Sequence, residues 1–382
     1  MVLNNESAPL RTDYSFLLQT DTEHHLGTSP LTKLPIGLVT SYPIDYMHCV
    51  CLGVVRKLLN AWTEGPRSLT KLPSNSIKTI SEHLLLLRRH IPTEINRKPR
   101  SLCELSRWKA TEFRSFVLYL GPVVLKNVTN KAVFKNFLLL HSAISIFISS
   151  RHLEHIGSDT AGEFLKNFVQ HCRQLYGQEF IVYNVHMLIH LKDDVNRYGP
   201  LDNISAFPYE NYLNRLKRLI KSPKEPLQQI GKRLQEINFF DKKQISLLEY
   251  DCIMEHNNGP VPMQVKGASA QFKKITFKSF LLCVVSHKKA DAYCMLRDKN
   301  ILQISNIIKI EDIILLVCKR FLCYNSFYSY PISSSQLLIN TIKNLSNDYE
   351  LVPISNVAAK CLVLPLNDKE FVSFPLIHCL DT

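Results

Sequence analysis

Glycine is scarce in this chain, 12 of 382 residues, which excludes long flexible linkers. The 11 cysteines include no Cys-x-x-Cys pair, and the N-terminal stretch MVLNNESAPLRTDYSF is too polar for a secretory signal. Together these absences point to reduced thiols in the cytosol or nucleus rather than to a disulfide framework. No apolar run reaches the roughly 18 residues expected of a membrane span. The longest, Phe137 to Ile148, is interrupted by His141 and Ser142. There is no Walker-type loop, no dinucleotide fingerprint, no internal repeat and no low-complexity tract. Acidic residues are outnumbered, with 33 Asp and Glu against 46 Lys and Arg, a net charge of +13. A surplus of that size suits a polyanionic partner such as DNA or RNA, through phosphate neutralisation.

What is present is enough for two or three domains, since 46% of the residues are hydrophobic. Residues 1–40 are polar, proline-containing and without period. Apolar positions at Met47, Val50, Cys51, Val54, Val55, Leu58, Leu59 and Trp62 follow helical spacing, ended by Gly65-Pro66. Further helices are expected over Ser76–His90, Trp108–Leu125 with a kink or break at Gly121-Pro122, and Asn130–Ser150. Others are expected over Ser158–Tyr176 with Ser158 as cap and Gly177 as stop, over Tyr183–Tyr198, over Tyr209–Lys221 and over Leu227–Phe239. Residues 241–271 read as a linker. From 272 to 382 short β-rich runs recur, at 273–285, 291–296, 301–309, 313–319, 326–330, 349–354, 359–365 and 370–376. The expected class is therefore α+β: a mostly helical region over 41–240, then a small barrel-like domain of five or more strands.

Three constellations could carry chemistry. In Pro43-Ile44-Asp45-Tyr46-Met47-His48, the carboxylate and the imidazole lie three apart at a helix start, so both face one side. Asp45 could ligate Mg²⁺ or Mn²⁺, with His48 beside it, or it could simply cap the helix. Glu210 opens a helix rich in cations: Arg215, Lys217, Arg218, Lys221 and Lys224, then Lys232 and Arg233. A carboxylate heading a basic helix suits metal-dependent phosphoryl transfer on a nucleic acid. The alternative is a first-turn Glu favoured by the helix dipole, on a solvated basic face. His186 and His190 have the spacing of helical zinc ligands, but Met, Leu and Ile lie between them, without the glutamate of a metalloprotease. A structural core pair is the other reading, with Asp193 and Asp194 available to Lys192 or Arg197. Cys49 and Cys51 would point about 200° apart on a helix and read as small buried residues.

In order along the chain, these motifs resemble the transposases of CACTA (En/Spm-like) DNA transposons, in their animal transposase domain-containing form. The resemblance runs through Arg11-Thr12-Asp13, His24-His25, Pro43 to Gly53, Trp108 to Arg114, Tyr183 to Asp194, Gly199 to Asp202 and Ser205 to Arg218. It implies an RNase H-like nuclease domain with a helical insertion and an Asp-Asp-Glu site holding two Mg²⁺ or Mn²⁺ ions. Asp45 would match the second acidic residue and Glu210 the third. The family's first Asp lies upstream of the Arg-Thr-Asp stretch, as does a cysteine-rich stretch. Asp13 and Asp21 match neither. The resemblance thus implies the C-terminal part of a DDE transposase, transposon-derived and nuclear, lacking full nuclease activity and retaining DNA binding through the basic helices. Alternatives are an active metal-dependent DNA-cleaving enzyme and a chromatin-associated module whose β domain binds proteins.

Overall fold

A computed structural model describes residues 9–66, 70–240, 250–263, 265 and 270–377. The chain forms two compact units. One joins the residues up to Leu72 with Thr129–Ser205; the other joins Pro73–Val128 with Ala206 onward. This division cuts across the continuous 41–240 region read from the sequence.

The first unit is helical. The apolar stripe at Met47–Trp62 does form a helix, but Met47–Val55 is wound as a π-helix before α-helix Arg56–Thr63. Wider winding at a stretch hydrophobic on several sides buries Met47, Cys49, Val50, Cys51, Val54 and Val55 together. Helix Lys131–Phe147 starts where the Asn130 side chain accepts from the Ala132 amide, at 2.8 Å. It packs against helix Ser158–Tyr176. The latter is bounded by Gly157 and Gly177 at φ +89° and +86°, where a Cβ would be strained. Gly157 thus takes the cap position expected for Ser158. Trp62 is fully buried between the helices, edge-on to Phe137 at 6.1 Å, and its indole N–H donates to the Tyr176 hydroxyl at 2.9 Å. Burying a side chain of that size stabilises by about 2–3 kcal/mol. Helices Tyr183–Met187 and Leu191–Tyr198 are joined through a 3₁₀ turn, and Gly199 at φ +79° ends the second. No described helix is by itself long and apolar enough to cross a membrane.

The second unit begins with helix Ser74–Leu87. A later helix starts at Ala110, passes through a π turn at Phe116–Leu120 and continues as Gly121–Leu125. Gly121-Pro122 does not break it. Pro122 has no N–H to donate, and the ladder readjusts in the π turn just before it. Helices Phe207–Leu219 and Pro226–Phe240 form a hairpin.

Among the described residues the strands are β1 (Tyr250–His256), β2 (Ala270–Phe277), β3 (Phe280–Cys283), β4 (Tyr293–Leu296) and β5 (Ile301–Ile310). They continue as β6 (Ile313–Ser326), β7 (Asn340–Leu345), β8 (Glu350–Pro353), β9 (Val357–Pro365) and β10 (Glu370–Pro375). All pairings are antiparallel. The order β5-β4-β9-β10-β7-β6 closes through β5–β6 into a six-stranded barrel. β1, β2 and β3 extend it from β5, and β8 pairs with β6. The α+β expectation and the barrel hold. The linker does not: β1 lies inside 241–271 and pairs with β2 from Tyr250↔Phe277 to His256↔Gln271. Residues 327–330 are not strand, and β7, a polar NTIKNL, was not expected. The ten described cysteines are all free thiols. In the barrel, burial pushes those of Cys294, Cys318 and Cys361 upward, the last to about 12.

Candidate functional site

The Asp45 corner is built from both ends of the first unit. Asp13, of the Arg-Thr-Asp motif, accepts from the amides of Val39 and Thr40 at 2.7 and 2.9 Å and from the Thr40 hydroxyl at 2.6 Å. These bonds hold its carboxyl below the usual range. Gly37 passes so close that a Cβ would stand 2.5 Å from its Oδ2. The Thr40 carbonyl accepts from the hydroxyl of Tyr198 and from Arg197. Asp194, largely buried, accepts from the Ile44 amide at 2.8 Å; burial raises its carboxyl and that bond partly offsets it. Asp194 therefore positions the chain, with the Arg197 guanidinium favouring its charged form. Lys192 pairs with Asp159.

So delivered, Asp45 accepts from the Met47 and His48 amides, each at 3.1 Å, and its Oδ2 also meets His48 Nδ1. Both oxygens serve the first turn. The helix-cap alternative is what the geometry realises, with the carboxylate and His48 facing one side as the spacing required. The Asp45 side chain is 26% exposed and that of His48 60%.

Glu210 is exposed in the first turn of Phe207–Leu219, and it belongs to the other unit. Among the described residues, no three His, Cys, Asp or Glu side chains are grouped to hold a metal ion. Asp45 is already engaged by the Met47 and His48 amides, and the described residues place no two further His, Cys, Asp or Glu ligands beside it. His186 and His190 lie Nε2 to Nε2 at 3.3 Å, within reach of an N–H···N bond. Burial and the neighbouring His186 lower the pKa of His190.

The basic residues behave differently. The Phe207–Leu219 helix buries none of its residues. Arg215, Lys217, Arg218, Lys221, Lys224 and Lys232 are exposed, and no ion pair engages them among the described residues. Arg233 pairs with Glu236 at 2.8 Å. Gln229 ties the turn of the hairpin: its Oε1 accepts from the Lys221 amide at 2.8 Å, and its Nε2 donates to the carbonyls of Ser222 and Lys224.

Two features escaped the sequence. An open groove of about 620 Å³ in the first unit is lined by Arg56, Lys57, Asn60, Phe180 and Asn184, with Lys57 Nζ 4.7 Å above the Phe180 ring. Gly53 permits the close approach, since a Cβ there would stand 2.5 Å from the Asn184 amide nitrogen. In a linear reading Arg56 and Lys57 are an ordinary solvated helix face. In the second unit, Lys360 is wholly buried on β9, where its Nζ meets Asp291 at 2.6 Å and Glu94 at 2.7 Å. Nothing local marks it, because Glu94 is remote in sequence. Glu112 of the Trp108–Arg114 motif is likewise structural, a buried carboxylate gripped by Arg100 at 2.8 and 2.5 Å.

No curated protein and no solved structure matches the chain. Residues 255–376, from within β1 to just past β10, match the family described as Domain of unknown function (DUF8592).

Proposed function

We propose that this is a transposon-derived DNA-binding protein, similar to the C-terminal part of a CACTA DDE transposase of RNase H-like ancestry, acting in the nucleus without two-metal strand cleavage. The observation that carries the reading is the hairpin of Phe207–Phe240: six exposed cations, engaged by no ion pair among the described residues, on a scaffold whose first helix buries none of its residues. Such residues contribute little to folding and are free to displace counterions from a phosphate backbone. The engagement of Asp45 as a helix cap supports the absence of cleavage.

Titration of labelled duplex DNA across a salt series tests the proposal. Replacing Arg215, Lys217 and Arg218 by Gln should reduce the slope of log K against log[salt] by about 2.7, from about 0.9 per lost phosphate contact. Binding indifferent to salt and to the triple substitution would refute it. With Mg²⁺ or Mn²⁺ the chain should nick plasmid no faster than the Asp45→Ala/Glu210→Ala variant.

A further inference from the structure

We infer that the barrel carries a built receptor for a short Thr-Glu turn, filled in this chain by Thr93-Glu94, and that the barrel and residues 73–128 therefore open as one unit. The receptor lies within the DUF8592 match, while the turn that fills it lies outside.

The receptor has three parts. Lys360 on β9 and Asp291, in the turn before β4, have no exposed surface and face each other at 2.6 Å. Lys288 adds a second ammonium, 2.6 Å from Asp291 Oδ2. Leu281 lies opposite Thr276 in the β2–β3 hairpin, one place beyond the pair Phe277–Phe280 at the turn. Its amide and carbonyl therefore point away from β2, along an edge with no further strand among the described residues.

The turn answers each part. Glu94 Oε2 sits 2.7 Å from Lys360 Nζ, and Glu94 Oε1 accepts from the Leu281 amide at 2.9 Å. Lys360 Nζ donates to the Leu281 carbonyl at 2.5 Å. The Thr93 amide and hydroxyl donate to Asp291 at 2.8 and 2.7 Å, and the hydroxyl accepts from Lys288 at 2.5 Å. The Glu94–Lys360 pair thus occupies the β3 edge as a neighbouring strand would. Without the turn, Lys360 and Asp291 would lose the partners that Glu94 and Thr93 supply, and Leu281 would lose the acceptor for its amide. Buried charges with one partner removed are strongly unfavourable.

Hydrogen exchange on the full-length chain tests this. In Glu94→Gln the shape is kept and the charge lost. Protection should fall about a hundredfold or more in β3, β4 and β9, and equally in Ser74–Leu87. Adding Lys360→Met should not restore it, since Asp291 then keeps Lys288 as its only charged partner. Should Glu94→Gln not fold, Thr93→Val is the milder probe, with an expected parallel fall of about tenfold in both regions. Protection of β3, β4 and β9 staying within about threefold of the parent, whether or not Ser74–Leu87 opens, would overturn the inference.

Discussion

The barrel and the basic hairpin belong to the same compact unit and treat charge in opposite ways. In the barrel, Lys360 and Asp291 are removed from water, and each charge is met by a specific partner. In the hairpin, cations stand in solvent with no ion-pair partner among the described residues, on a helix that contributes nothing to a core. Charges of the first kind are part of the fold, and altering one disturbs everything packed around it. Charges of the second kind can be altered without the fold responding. The DNA partner proposed above would account for their number.

The largest expected effect separates the two regions most widely. Asp291→Ala leaves Lys360 with Glu94 as its only charged partner and strips Thr93 of its acceptors. It should cost about 3–5 kcal/mol, read as a lower urea midpoint with unchanged slope. A loss below about 1 kcal/mol would mean that the barrel tolerates buried charge as easily as the hairpin tolerates exposed charge.

Acid should act on the same residue. Burial alone would raise the Asp291 carboxyl, but Lys360 and the donors of Lys288, Lys360 and Thr93 outweigh it and hold it at about 2. An unfolded Asp titrates near 3.9. The folded value is the lower one, so the contribution is complete at neutral pH and is lost as pH falls from about 5 through 2. It amounts to about 2–3 kcal/mol. Thermal midpoints between pH 6 and pH 2 should fall more steeply for the parent than for Asp291→Asn. Parallel curves would remove Asp291 from the acid response.

This contrast was only half legible in the chain. The hairpin cations could be read directly, because clustering on a helical period is local information. The strand content of 270–377 was readable from its Val, Ile and Phe runs, yet β7 was missed because NTIKNL is polar and is specified by its partners β6 and β10. β1 was hidden in an apparent linker for the same reason: β2 selects it, and only Tyr250 and its apolar neighbours hint at it. Lys360 was not legible at all. A lysine in Ala-Ala-Lys-Cys-Leu looks like the solvated face of a strand, and only a turn far upstream buries it. The π winding at Met47–Val55 also left no trace, because the apolar positions suit either helix.

Asp45 lies between the extremes, partly exposed and bonded to its own helix start. Asp45→Ala should cost about 1 kcal/mol, as for other lost caps, whereas Asp45→Asn should change stability by only a few tenths. A gain in stability for either variant would point instead to a carboxylate held against electrostatic repulsion, as in a site awaiting a cation.

The smallest expected effect tests the other side of the contrast. Replacing Arg215, Lys217 and Arg218 together by Gln removes three positive charges. The side chains cover no core, engage in no ion pair among the described residues, and sit on a helix where Gln is nearly as favourable as Arg or Lys. Chemical denaturation should therefore show a change within about 0.5 kcal/mol, while the same protein preparation loses DNA affinity and salt dependence. The direction of any small change is also fixed. Relieving repulsion among like charges on one surface should stabilise slightly at low ionic strength and not at high, where the Debye length drops to about 3 Å at 1 M salt. A triple variant that unfolds readily would place these cations in the structure rather than at its surface. The hairpin would then resemble the barrel, and the case for a polyanion partner would lose its main support.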